Sequence, residues 1–133
     1  MPHNESTTKF KADISQLKSA WQQAQCEVKL ANAQFKAASS SMDDWSKTTD
    51  GLQAKLKQLN TVLGAHKTQL GLLEKELQDT IKLNGENSAA ADKVRLRIEG
   101  QKAAIANTEK QIRKYDTDLK VVNGELEDTT KEI

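Results

Sequence analysis

The sequence predicts an all-α protein whose long amphipathic helices form a coiled coil or an elongated three-helix bundle. Three observations predict this. Apolar residues recur at alternating steps of four and three, the spacing that lays one narrow stripe along a helix. No segment keeps the period of two that a half-buried strand shows. The 133 residues include one Pro and six Gly, few enough breakers to leave long helical stretches intact. Apolar residues make up 36% and charged residues 29%. That lies below the usual apolar share of ~45–50% and disfavours a thick globular core, while the regular spacing disfavours disorder.

The first stripe is Phe10, Ile14, Leu17, Trp21, Ala24, Val28, Ala31, Phe35 and Ala38. It predicts a helix over 9–39, with residues 1–8 as a flexible N-terminal tail. The second is Leu52, Leu56, Leu59, Leu63, His66, Leu70, Leu73 and Leu77, a helix over 50–83. The third runs from Ala91 through Val94, Ile98, Gln101, Ile105, Thr108, Ile112, Tyr115, Leu119 and Val122 to Leu126, a helix over 88–130. The helical region as a whole is thus expected over 9–133.

Two breaks separate these stripes. From Ser39 to Gly51 the chain is rich in Ser, Thr and Asp, whose side chains compete for backbone hydrogen bonds and favour caps and turns. There Ser41 with Asp44, and Asp50 with Gln53, have capping-box spacing. In the second break, Asn84 to Ser88, Gly85 suits the left-handed position past a helix end and Ser88 suits the cap of the next helix. With Ile14 set at heptad position a, counting by sevens carries one phase through both breaks. Phe35, Met42, Thr49 and Leu56 span the first, and Leu77, Asn84 and Ala91 span the second. Such a chain can fold back or run on as one continuous rod. Leu63–Leu77 also echoes Ile98–Ile112, which shared periodicity alone would produce.

Residues able to carry chemistry are few. His66 sits at a d position among leucines, and its neighbours one turn away are Val62, Leu63, Gln69 and Leu70. A zinc site needs three or four His, Cys or carboxylate ligands, so His66 reads as a register-setting polar residue in the seam. His3 has the same shortage of co-ligands. Cys26, the only cysteine, falls at an outward f position with no base beside it and is expected to be an exposed, inert thiol suited to a reducing compartment. Gln101, Thr108 and Thr129 are polar d residues that mark either a weaker seam or tolerated polarity. Trp21, Phe35 and Trp45 overfill a two-stranded seam and suit a bundle, or anchors docking on another protein. No catalytic, cofactor-binding or metal-binding residue is assigned, and no enzyme or small-molecule substrate is expected, because no phosphate loop, nucleophile elbow or metal motif occurs.

The net charge is +1, so nucleic acid and anionic membrane are not expected as partners. The basic residues of the third segment are interspersed with acidic ones, the pattern of a solvated face. Met1 to Lys11 has no apolar h-region, so no signal peptide is expected, and no membrane-spanning run occurs. Taken alone, the chain is expected to be soluble, made inside a cell, and self-associating through its heptad seam.

The stretch Phe35–Asn60, FKAASSSMDDWSKTTDGLQAKLKQLN, resembles the N-terminal region of tail tape measure proteins of long-tailed bacteriophages. The family pattern is F-K-A-A-x-x-x-M-D-D-W-S-x-x-x-D-G-L-x-A-K. Here Phe35, Lys36, Ala37, Ala38, Met42, Asp43, Asp44, Trp45, Ser46, Asp50, Gly51, Leu52, Ala54 and Lys55 match it. The flanks Phe10–Trp21 and Gly85–Ile105 look like the same region, so the resemblance spans about 9–122. It implies a virion structural protein: an extended helical chain in the lumen of the tail, around which tube subunits polymerise and whose length sets tail length. It further implies synthesis in the host cytoplasm, and tail-tube, tail-tip and assembly-chaperone proteins as partners. Family members run to many hundreds of residues, whereas one helix of this chain would span ~200 Å. The chain is therefore expected to be a fragment or a truncated prophage product. The alternative is a phage-derived coiled-coil module that binds another protein outside the virion.

Overall fold

The computed structural model describes residues 2–125. They form three long helices, α1 (Pro2–Ser39), α2 (Thr49–Asn84) and α3 (Ala89–Val122), with a short 3-10 turn at Trp45–Lys47 between the first two. Among the described residues there is no strand, as the missing period of two requires.

The boundaries differ from expectation where local chemistry outweighs the apolar pattern. The expected tail over 1–8 is helical from Pro2 onward. The stripe begins only at Phe10, so apolar spacing says nothing about these residues, yet Pro is well suited to the first helical position. Helix α3 stops at Val122 and not at 130. Gly124 takes φ +78°, its N–H donates to the Val121 carbonyl, and the Glu125 N–H donates to the Lys120 carbonyl, the paired bonds of a left-handed helix terminus. Residues 126–130 of the expected helix lie outside the described residues. The α2–α3 break is as expected. Gly85 takes φ +96° and donates to the Ile81 carbonyl at 2.8 Å, while Ser88 Oγ accepts from the Ala91 N–H at 3.1 Å.

Two compact units make up the chain, Met1–Cys26 with Ala65–Ile105, and Glu27–Gly64 with Ala106–Ile133. Each draws on all three helices. In the first unit, Leu73, Val94 and Ile98 form a buried cluster against which Trp21, Leu70 and Leu77 pack. Helices α2 and α3 run antiparallel there, since Glu76 meets Arg97 and the earlier His66 meets the later Gln101. In the second unit, Ala31, Leu52 and Leu59 are buried. Asn32 Oδ1 accepts from Gln58 Nε2 at 2.9 Å across α1 and α2. Thr49 at the start of α2 donates to Asn123, just past α3, at 2.8 Å.

The heptad reading places the core, and most of its buried residues are at d. Leu17, Ala24, Leu73, Thr80 and Val94 are buried in the first unit, and Ala31, Leu52, Leu59 and Thr108 in the second. Of the a residues, Ala91 and Ile98 are buried as well, whereas Trp21, Phe35, Leu70 and Leu77 are only half-buried. Helix α2 also buries Ala65 and Gln69, which lie off the stripe, because a two-position seam is too narrow to face two neighbouring helices. Leu52 and Leu73 are the largest fully buried side chains. Leu52→Ala or Leu73→Ala should each cost about 2–5 kcal/mol in urea denaturation. Leu96→Ala, at a residue 73% exposed, should stay within about 0.5 kcal/mol of the parent.

Candidate functional site

Two places bring side chains from several elements together, one in each unit. In the second unit it is the α1–α2 junction. Asp44 adopts an extended backbone (φ −147°, ψ 95°) and caps the 3-10 turn. Its Oδ1 accepts from the Ser46 N–H at 3.1 Å and the Ser46 hydroxyl at 2.6 Å. These two bonds, with Lys47 nearby, hold the Asp44 carboxyl below its ordinary value. The cap is therefore intact above the usual Asp range near ~3.9 and weakens as pH falls through the lowered value. Thr48 then caps α2, its Oγ1 accepting from the Gly51 N–H at 3.0 Å. The expected caps were Ser41 and Asp50. The true cap of α2 lies two residues before Asp50, which instead occupies the first helical turn, where its charge favours the helix dipole.

The capped turn aims Trp45 inward. Its ring meets Phe35 edge-on at 5.0 Å and Tyr115 at 5.5 Å, so one side chain bridges α1 and α3. Lys55 Nζ stands 4.6 Å from the Phe35 ring centre and 5.5 Å from that of Trp45. Partial burial lowers the Lys55 pKa, and the two ring faces offset part of that desolvation. Gly51 is the floor of the junction. A Cβ there would fall 2.1 Å from the Trp45 carbonyl oxygen and 2.6 Å from its Cα, so only glycine lets α2 pass this close.

Beside the junction, still within this unit, α1 and α2 enclose an open groove of about 390 Å³ lined by Ala31, Gln34, Phe35, Ala38, Ala54, Lys57, Gln58 and Thr61. It exists because alanines stand where larger residues would fill the helix–helix contact. Gln58 Nε2 is satisfied by Asn32, while Gln58 Oε1 is buried without a partner.

In the first unit a polar layer crosses the core. Gln101 Nε2 lies 3.0 Å from His66 Nδ1, 3.1 Å from the His66 carbonyl and 3.2 Å from Gln69 Oε1. The two polar d residues thus meet each other, which turns a pair of seam defects into one satisfied interhelical contact. Nearby on the same two helices, Arg97 from α3 spans both Glu76 oxygens of α2 at 3.1 and 3.0 Å and lies 5.4 Å from the Trp21 ring of α1. Arg97 and Glu76 occupy g positions, which carry interhelical ion pairs. The mixed charges of the third segment disguise Arg97 as part of a solvated face, and the g–g register is the signal that singles it out.

Chemically these arrangements position helices. Cys26 is exposed, and the His66 ring meets the side-chain amides of Gln69 and Gln101. Among the described residues no three His, Cys, Asp or Glu side chains gather to hold a metal, and no helix is long and apolar enough to cross a membrane. Trp21, Phe35 and Trp45, which could have been anchors for another protein, are engaged within their own units. Comparison with known protein families, with curated proteins and with solved structures finds no match.

Both places can be probed by substitution. Gly51→Ala should lower stability by about 1–3 kcal/mol through overpacking, whereas Gly71→Ala, with open space around it, should raise it by about 0.5–1 kcal/mol; thermal unfolding of both distinguishes a packing role from a generic helix effect. Gln101→Leu alone should cost about 1–3 kcal/mol, because it strands the acceptors on His66 and Gln69. The triple change His66→Leu, Gln69→Leu and Gln101→Leu should recover most of that loss in urea denaturation.

Proposed function

We propose that this chain is a structural segment of a bacteriophage tail tape measure protein, a non-catalytic coiled-coil scaffold for tail tube assembly and tail length determination. The observation that carries the reading is the M-D-D-W-S block and its flanks in Phe35–Asn60. The positions that match the family pattern are also those that build the α1–α2 junction. Asp44 caps the turn, Trp45 meets Phe35 edge-on, Gly51 admits the close approach and Lys55 covers the rings. A motif spent on helix placement fits a scaffold better than a reaction centre. On this reading the chain is made in the host cytoplasm and ends in the tail lumen, in contact with tube, tip or chaperone proteins.

Mass spectrometry of purified tails from an induced lysogen tests it. Peptides of this chain should co-purify with the tube subunit, and deleting the segment in frame should shorten tails or stop their assembly. Particles that lack these peptides, while the chain co-purifies with a cytoplasmic protein, would contradict the proposal and favour an interaction module working outside the virion.

A further inference from the structure

The two interhelical breaks are built differently. The α2–α3 break depends on Gly85 at φ +96°, a backbone state that a right-handed helix cannot accommodate without rebuilding the turn. The α1–α2 break contains no Gly and no Pro between Ser40 and Thr48, and no non-glycine residue among those described has a positive φ. Asp44 and Thr48 are extended, with ψ 95° and 150°, where a helix needs about −42°. Both are held so by cap bonds that an uninterrupted helix would not use.

The break also keeps the helical stripe. Phe35, Ala38, Met42, Trp45, Thr49 and Leu52 follow steps of three and four, so a straightened segment presents one continuous apolar face. A hairpin loop has no need of that spacing.

We propose that the partner fitted to this chain is a second copy of itself, bound by exchange of α1. Residues 40–48 convert to helix and join α1 to α2. The displaced α1 of each copy then takes the place beside α2 and α3 of the other. The Asn32–Gln58 hydrogen bond and the packing of Trp21 on the Leu73 cluster break within one chain and re-form between chains, so exchange needs no new surface. The straightened junctions add a pairing of their own, since their stripes run along the seam where the two copies meet. The α2–α3 hairpin stays closed throughout. This inference is independent of the phage assignment, because it uses only the break, the spacing within it and the contacts between the helices.

Sedimentation velocity on the full chain, refolded from denaturant across a concentration series, tests the exchange. Asp44→Ala with Thr48→Ala removes both caps and should raise the dimer fraction severalfold over the parent at equal concentration. Asp43→Pro blocks a continuous helix at a position whose N–H makes no backbone hydrogen bond in the hairpin, and should leave a monomer of parental helicity by circular dichroism. If the cap-less chain stays monomeric at every concentration, the proposal is wrong, whatever the proline variant does. It is equally wrong if a folded Asp43→Pro chain dimerises as readily as the parent.

Discussion

The structure depends on burial along the heptad seam, carried mostly by the d residues and joined in α3 by the a residues Ala91 and Ile98. Among the larger apolar side chains, Leu17, Leu52, Leu59, Leu73, Val94 and Ile98 are taken fully or nearly fully out of water, with Ala24, Ala31, Ala65 and Ala91 buried between them. Burying each such side chain contributes about 1.5–3 kcal/mol. Helices of this length have no other comparable source of stability, because their outward faces carry mainly i,i+3 and i,i+4 ion pairs such as Arg95–Asp92 and Lys114–Asp118. Exposed pairs of that kind are worth little. The larger a residues Trp21, Phe35, Leu70 and Leu77, half-buried, guard the seam more than they fill it. What remains is to fix which stretch of each helix faces which, and the polar and aromatic contacts do that.

Each unit has one such device. In the first, Arg97 on α3 reaches Glu76 on α2 and Trp21 on α1, and the His66–Gln101 contact penalises any shift that would leave these groups facing leucines. In the second, Trp45 does the equivalent through Phe35 and Tyr115, held in place by the Asp44 cap and by the absent Cβ of Gly51. Apolar burial makes the helices associate, whereas these contacts select one register among several that the repeating stripe would allow.

The helices and their seam were legible in the sequence because burial along the a and d positions repeats every seven residues, and a repeat is visible without knowing the fold. The Gly85 terminus and the Ser88 cap were legible because each rests on a single residue with a strong local preference. The junction was less so. Ser41, Asp44, Thr48 and Asp50 are all competent caps, and only the packing of Trp45 between distant helices decides that Asp44 and Thr48 are used. The start of α1 was hidden because residues before Phe10 bear no stripe, and the end of α3 because Gly124 interrupts an apolar pattern that runs on to Leu126. The Arg97–Glu76 pair needed the antiparallel register, which the stripe permits but does not specify.

The fold-back of α1 on α2 is the claim on which the rest stands, since a chain with the same heptad phase could lie straight. It is tested most directly by a chain with Asn32→Cys and Gln58→Cys in a Cys26→Ser background. This chain is treated with a short bismaleimide at a concentration low enough to suppress association, then mapped by peptide mass spectrometry. The account predicts a 32–58 link within single chains, following the 2.9 Å contact between those side chains. Absence of that link, with 32–32 and 58–58 links between chains instead, would mean parallel straight helices and would contradict it.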